Sequence, residues 1–215
     1  MIDHYSYATE QAYFLFPGYT YRGTKRENMP SFYFDNNGND TTGNGSQAAP
    51  WKTVAKCNAV RAAGTFNAES VTIAFKGGQL FTDAELIFIA QTPSASGRLV
   101  VTSWGSGQAT IKSSSNARHC VSFTNCQNFL LKNIKLEHLV GSGNDTDHGC
   151  LYIQNCSGVA IEDVDCLGGG FGVSPVSTST TIKRTAIRYP WNVGIGCPSH
   201  VQTLVDVDFY GVGYN

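Results

Sequence analysis

The stretch AIEDVDC, Ala160 to Cys166, places Glu162, Asp163 and Asp165 within four residues, in a run whose apolar members Ile161, Val164 and Cys166 read as a strand. Carboxylates this close suit three jobs: proton transfer at a sugar, metal binding, or pairing with cations. An acid/base glycosidase needs two carboxyl groups roughly 5 to 9.5 Å apart across the scissile bond. Asp163 with Asp206, or Asp165 with Asp208, would meet that spacing if a strand repeat set them two strands apart. A polysaccharide lyase needs a cation to neutralise a uronate carboxylate and a base to remove the adjacent carbon-bound proton. Lys183, Arg184 and Arg188, with Tyr189 beside them, supply those types.

A second group lies in VGSGNDTDHG, where Asn144, Asp145, Asp147 and His148 fall within five residues flanked by glycine. On a loop above a rigid scaffold such residues can hold a metal, calcium being the candidate, or touch a glycan. The spacing is not that of a twelve-residue calcium loop, and the plain alternative is polar turn sequence. Trp104, Tyr152 and Trp191 are candidates for stacking on sugar rings, against the commoner fate of aromatics as core.

These residues must be positioned by short strands. Only 14% of residues are charged, 15 basic against 16 acidic, and Gly alone contributes 23. That balance argues against nucleic acid or an anionic membrane surface as partner, and the composition suits a turn-rich β protein. The longest apolar runs fall short of the roughly 18 residues that a membrane helix needs. The first 30 residues show no secretory pattern. Seven cysteines without a CxxC or a zinc spacing are expected to be mostly small buried apolar residues.

Residues 1 to 31 are rich in Tyr and Phe without a clear period and receive no structural assignment. A strand is expected near Phe32 to Phe34, then a Gly/Asn loop, then a helix over 50–63 with Pro50 in its first turn and Gly64 as its stop. Beyond residue 118 a repeat emerges. LLKNIKL at 130, AIEDVDC at 160, TIKRTAI at 181 and TLVDVDF at 203 align without gaps at offsets of 30, 21 and 22. An upstream set beginning at 120, 150, 172 and 194 keeps step, and the long offset is explained by an insertion in the 140–149 loop. Short strands recurring at this period, each unable to bury its face alone, predict a parallel β-solenoid.

FYFDNNGNDTTGNGSQAAPWKTVAK followed by coils of this length resembles the right-handed parallel β-helix of the pectin-lyase-like superfamily, whose members often carry an N-terminal capping helix. The resemblance covers residues 32 to 215. It implies an all-β fold and either a polysaccharide lyase or glycosidase working along the helix groove, or a non-catalytic adhesin or phage tailspike component. Its implied partner is a polysaccharide and its implied place is extracellular or on a virion surface.

Stacking like positions about 4.8 Å apart puts Glu162 between Lys132 and Lys183, and Asp163 between Asn133 and Arg184, with Asp206 beyond. Asp165 follows Lys135. The carboxylates then belong to columns of alternating charge, which stabilise across strands. One calcium ion cannot bridge the Asp163/Asp165 and Asp206/Asp208 pairs, because a basic coil separates them by about two strand spacings. The last coil carries no covering element, so the C-terminal end is expected to be covered by a homo-oligomer or by more of the helix.

Overall fold

Period-two apolar runs leave one face of every strand to be buried, and the chain buries them by winding each coil onto the last. The computed structural model describes residues 31–66, 70–93, 97–113, 115, 118–138, 148–176, 179–196 and 201–211. The aromatic N-terminal stretch, Asn144, Asp145, Asp147 and Cys197 lie outside the described residues.

The elements run β1 (Ser31–Phe34), α1 (Val54–Ala62), β2 (Val71–Lys76), β3 (Leu80–Phe81), β4 (Leu86–Ile89), β5 (Leu99–Trp104), β6 (Ala109–Lys112) and β7 (Val121–Thr124). They continue with β8 (Phe129–Glu137), β9 (Leu151–Gln154), β10 (Val159–Leu167), β11 (Phe171–Val176), β12 (Thr180–Arg188), β13 (Val193–Ile195) and β14 (Val201–Tyr210). One sheet follows β1-β2-β5-β8-β10-β12-β14, with β3 and β6 joined at its side; the second follows β13-β11-β9-β7-β4. Every pairing between these strands is parallel. The chain is a parallel β-helix.

The register follows the sequence repeat: Glu162 sits opposite Lys132 on one side and Lys183 on the other. Interior positions stack in columns. Leu131, Ile161 and Ile182 are fully buried in one, and Leu136, Cys166 and Ile187 in another. The facing sheet contributes Phe88 and Phe123, stacked at 4.9 Å, and Phe123 packs in turn on Phe129 of β8. The six described cysteines are buried and form no disulfide, and burial pushes the thiols of Cys57, Cys120 and Cys150 up.

The helix is shorter than the pattern suggests. Asp40 accepts hydrogen bonds from the backbone N–H groups of Lys52 and Thr53 and from the Thr53 hydroxyl, and this holds that segment extended. Trp51 bridges to Phe34 instead of starting a helical turn. The helix therefore begins after Thr53, whose hydroxyl accepts from Lys56 N, while the Asp83 carboxylate accepts from Val54 N and Ala55 N. These are the donors that a helix N-terminus leaves open. Val54 and Cys57 face the interior. Asn58 satisfies the edge of β4, donating to Glu85 O and accepting from Ile87 N, so α1 covers the outer strand of the second sheet.

Candidate functional site

Each long strand is bent once by a single residue. Asn133, Asp163, Arg184 and Asp206, the equivalent positions of four coils, all have left-handed φ between 46° and 55°. The ladder skips this column on β10: pairing stops at Glu162 and resumes at Val164 or Asp165. Asn and Asp tolerate this conformation better than most residues. Two of the carboxylates that looked catalytic, Asp163 and Asp206, thus occupy positions where the backbone itself favours Asp.

The charges at this corner are largely engaged with one another. Arg184 holds Asp163 through two nitrogens, Nε to Oδ1 at 2.6 Å and Nη2 to Oδ2 at 3.0 Å, and reaches Glu162 at 3.4 Å. That hydrogen-bonded pairing holds the Asp163 carboxyl below its ordinary range, the opposite of what a general acid needs. Arg188 pairs with Asp165 at 2.9 Å and lies over the Tyr210 ring. The partners differ from those expected by straight columns. Glu162 has Lys132 and Lys183 as register neighbours yet ion-pairs diagonally with Arg184, and Lys135 turns to Glu137 at 3.6 Å instead of Asp165. Among the described residues Asp206 makes no ion pair, so the expected Arg184–Asp206 contact is not formed; the short, bidentate contact to Asp163 uses the guanidinium.

A second group forms where the two sheets meet. His119 lies flat against Tyr152, ring centroids 4.8 Å apart and 4° from parallel, and His148 sits 5.0 Å from His119. Gly149 makes this approach possible. It occupies the coil between His119 and Phe171, whose rings come within 5.6 Å, and a Cβ on Gly149 would fall 2.0 Å from the Phe171 carbonyl oxygen. Gly149 N donates to His119 Nδ1 at 3.2 Å, so the neutral ring carries its proton on Nε2. Glu85, on the segment leading into β4, joins the group. Burial lifts its carboxyl above the ordinary range, against a hydrogen bond with Ser122 and the positive fields of Arg118 and His148. Trp191 follows along the same edge: Gly170 N bonds to His148 O and Trp191 N to Gly169 O. That places Trp191 about two strand spacings, near 10 Å, from His148, with its side chain exposed.

Tyr152 and His148 are therefore brought together, and Trp191 shares their edge. Asp163, Arg184 and Asp206 mark a separate corner on three neighbouring strands, with Lys183 and Arg188 on the strand of Arg184. Trp104 serves the fold, its indole N–H donating to Phe34 O and its ring covered by the Lys76 ammonium. Among the described residues no cluster of three or more His, Cys, Asp or Glu side chains could hold a metal. Glu85, Arg118, His119 and Ser122 escape a reading by motif; the offset of 30, extended upstream from Cys150, would have found Arg118 and His119 beside His148.

No known protein family and no curated protein matches the sequence. Among solved structures the chain is similar to the native and selenomethionine crystals of GH136 lacto-N-biosidase from Eubacterium ramulus. The first is 12% identical with a TM-score of 0.45, over 74% of this chain and 36% of that one. The second is 9% identical with a TM-score of 0.46, over 84% and 34%. The chain thus spans about a third of the length of those solved chains.

Proposed function

We propose that this β-helix, of pectin-lyase-like type, is a carbohydrate-active protein that lays an extended acidic glycan along the edge carrying Tyr152, His119, His148 and Trp191, and cleaves it as a polysaccharide lyase. The observation that carries the reading is the parallel His119–Tyr152 stack with His148 and the raised Glu85 carboxyl around it. Flat rings on a rigid wall suit sugar faces, and shifted titratable groups gathered with them mark a reactive site.

The charge pattern favours elimination over hydrolysis. A two-carboxylate glycosidase needs a second acid near the first, whereas among the described residues the charged groups acting on Glu85 are Arg118 and His148. In the elimination, Arg118 neutralises the uronate carboxylate and His148, in its neutral form, takes the proton from the carbon beside it. The electron pair left behind forms the new carbon–carbon double bond as the glycosidic carbon–oxygen bond breaks. The imidazolium formed at His148 then passes that proton to the departing oxygen, which His119 Nε2–H holds by a hydrogen bond.

Alginate, polygalacturonate and hyaluronan should yield product absorbing in the ultraviolet, and His148→Ala should reduce that rate by about 10² to 10⁴. Reducing ends without ultraviolet absorbance would point to a glycosidase instead. Exposed Tyr189 and Trp191 favour a second reading, a non-catalytic adhesin or virion spike component, which predicts glycan binding with no product in either assay. Both readings place the protein outside the cell or on a virion surface.

A further inference from the structure

Three side chains on successive coils repeat one local pose. Gln91 Nε2 donates to Ile89 O at 2.9 Å, Cys126 Sγ to Thr124 O at 3.4 Å and Cys156 Sγ to Gln154 O at 3.2 Å, each reaching back two residues. Ile89, Thr124 and Gln154 are register partners, so the three side chains form a column at the end of the second sheet. Cys126 N donates to Cys156 Sγ at 3.2 Å, and the Gln91 N–H bonds to the Cys126 sulfur in the same way one coil earlier. Like positions lie about 4.8 Å apart, inside the Cα range of roughly 4.4 to 6.8 Å that a disulfide spans. Turning the two cysteine side chains about χ1 brings sulfur to sulfur.

This column has a polar side. Among the described residues Arg61 Nε, in the last turn of α1, and Gln91 Oε1 are buried without a hydrogen-bond partner, and Gln91 is 5% exposed. The Cys156 thiol holds the Cys126 thiol below its ordinary range, against burial, with help from the Gln91 N–H and the positive field of Arg61; Cys156 itself is pushed up. Cys120 and Cys150 have the same offset of 30 in different company. Both are fully buried, burial pushes both thiols up, and Cys150 Sγ lies among the carbonyls of Leu136, Leu167 and Gly168.

We propose that Cys126 and Cys156 are a peroxide-reactive pair that closes to a disulfide between successive coils. The thiolate is the nucleophile of such chemistry. Cys126 sulfur attacks one oxygen of hydrogen peroxide, the O–O bond breaks, and the hydroxide released takes up the Cys126 proton and leaves as water. Cys126 is then a sulfenic acid, oxidised by two electrons as the peroxide is reduced. Arg61 Nε–H donates to the sulfenic oxygen and Gln91 Oε1 accepts its O–H, which gives both buried atoms a partner. Cys156 sulfur attacks Cys126 sulfur, the S–O bond breaks, and the oxygen departs as water with the Cys156 proton. Peroxide suits a site whose sulfurs are buried, because it is far smaller than a disulfide reagent.

The full chain, reduced and then treated with hydrogen peroxide, should yield after denaturing alkylation and digestion a peptide pair joined through Cys126 and Cys156, lighter by two hydrogens. Its melting temperature should rise by about 5 to 10 °C, as for a staple closing a loop of this length, and dithiothreitol should reverse the rise. Dimedone, which traps sulfenic acid, added with the denaturant should label Cys126 in Cys156→Ser and leave Cys156 unlabelled in Cys126→Ser. Arg61→Gln should slow the appearance of that label several-fold. The joined peptide is read on the unaltered chain, so that reading stands even where a variant misfolds. Recovery of Cys126 and Cys156 both alkylated after peroxide overturns the proposal. So does a Cys120–Cys150 link formed to the same extent, because spacing alone would then govern the reaction.

Discussion

Ile161→Ala and Leu204→Ala perturb the same interior column at different depths, and comparing them tests the winding order directly. Ile161 is fully buried between Leu131 and Ile182, so truncation removes apolar contact and leaves a void that neighbouring coils cannot fill. Such a change costs about 2 to 5 kcal/mol, or about 5 to 15 °C of melting temperature in a chain of this size. Leu204 has half its surface in water already. Full burial of such a side chain is worth about 1.5 to 3 kcal/mol, its half-burial about 1, and no closed cavity forms. A loss of about 2 to 4 °C is expected. Ile182→Ala, also fully buried, should behave like Ile161→Ala. Thermal and urea unfolding of the three variants reads the difference. Equal losses at 161 and 204 would show that the end coil is covered in solution, and a small loss at 161 would refute the column itself.

Glu85 gives a pH dependence whose sign is fixed. Its carboxyl is raised in the folded chain, so its contribution to stability is fully present below the ordinary value of 4.5 and is lost as pH rises through the shifted value; Glu85→Gln should flatten the melting-temperature profile over that window. Gly149→Ala forces its Cβ against the Phe171 carbonyl and should cost about 1 to 3 kcal/mol by overpacking, with loss of glycan turnover at temperatures where the fold persists, as seen by circular dichroism and the ultraviolet assay together. Arg184→Ala removes an ion pair whose side chains are each nearly half exposed, so the melting temperature should barely move and polysaccharide cleavage should survive; abolished cleavage would put the corner back in the active site. The described thiols, all buried, should stay unreactive to Ellman's reagent until the chain unfolds.

The repeat made the coils legible because stacking demands a constant offset. The offsets of 30, 21 and 22 reproduce the strand register, apart from a shift at Thr180/Thr181 in the last pairing. The ion pairs were less legible, since long side chains reach diagonally and Arg184 picks the carboxylate that it can grip with two nitrogens. The helix start was misplaced because Asp40, a distant residue, competes for the backbone donors of Lys52 and Thr53. Tyr152 and His148 were visible as residue types. Their company was not: Glu85 opens the apolar run ELIFI and looks like a strand edge, and only coil stacking brings it beside Ser122 and His148.

The left-handed corners also govern where this molecule can acquire new parts. A bend made by one residue has no slack, so adding a residue at Asn133, Asp163 or Arg184 would throw every later side chain of that strand to the wrong face. Length can be added where the chain already leaves the ladder, as it does between β5 and β6, where Gly105 to Gln108 separate strands that face the single strand β8. Diversity among descendants of such a chain is therefore channelled to a few ridges that run the length of the solenoid. Neighbouring coils would grow their insertions side by side, so a binding surface can be enlarged one coil at a time while the wall beneath it stays unchanged.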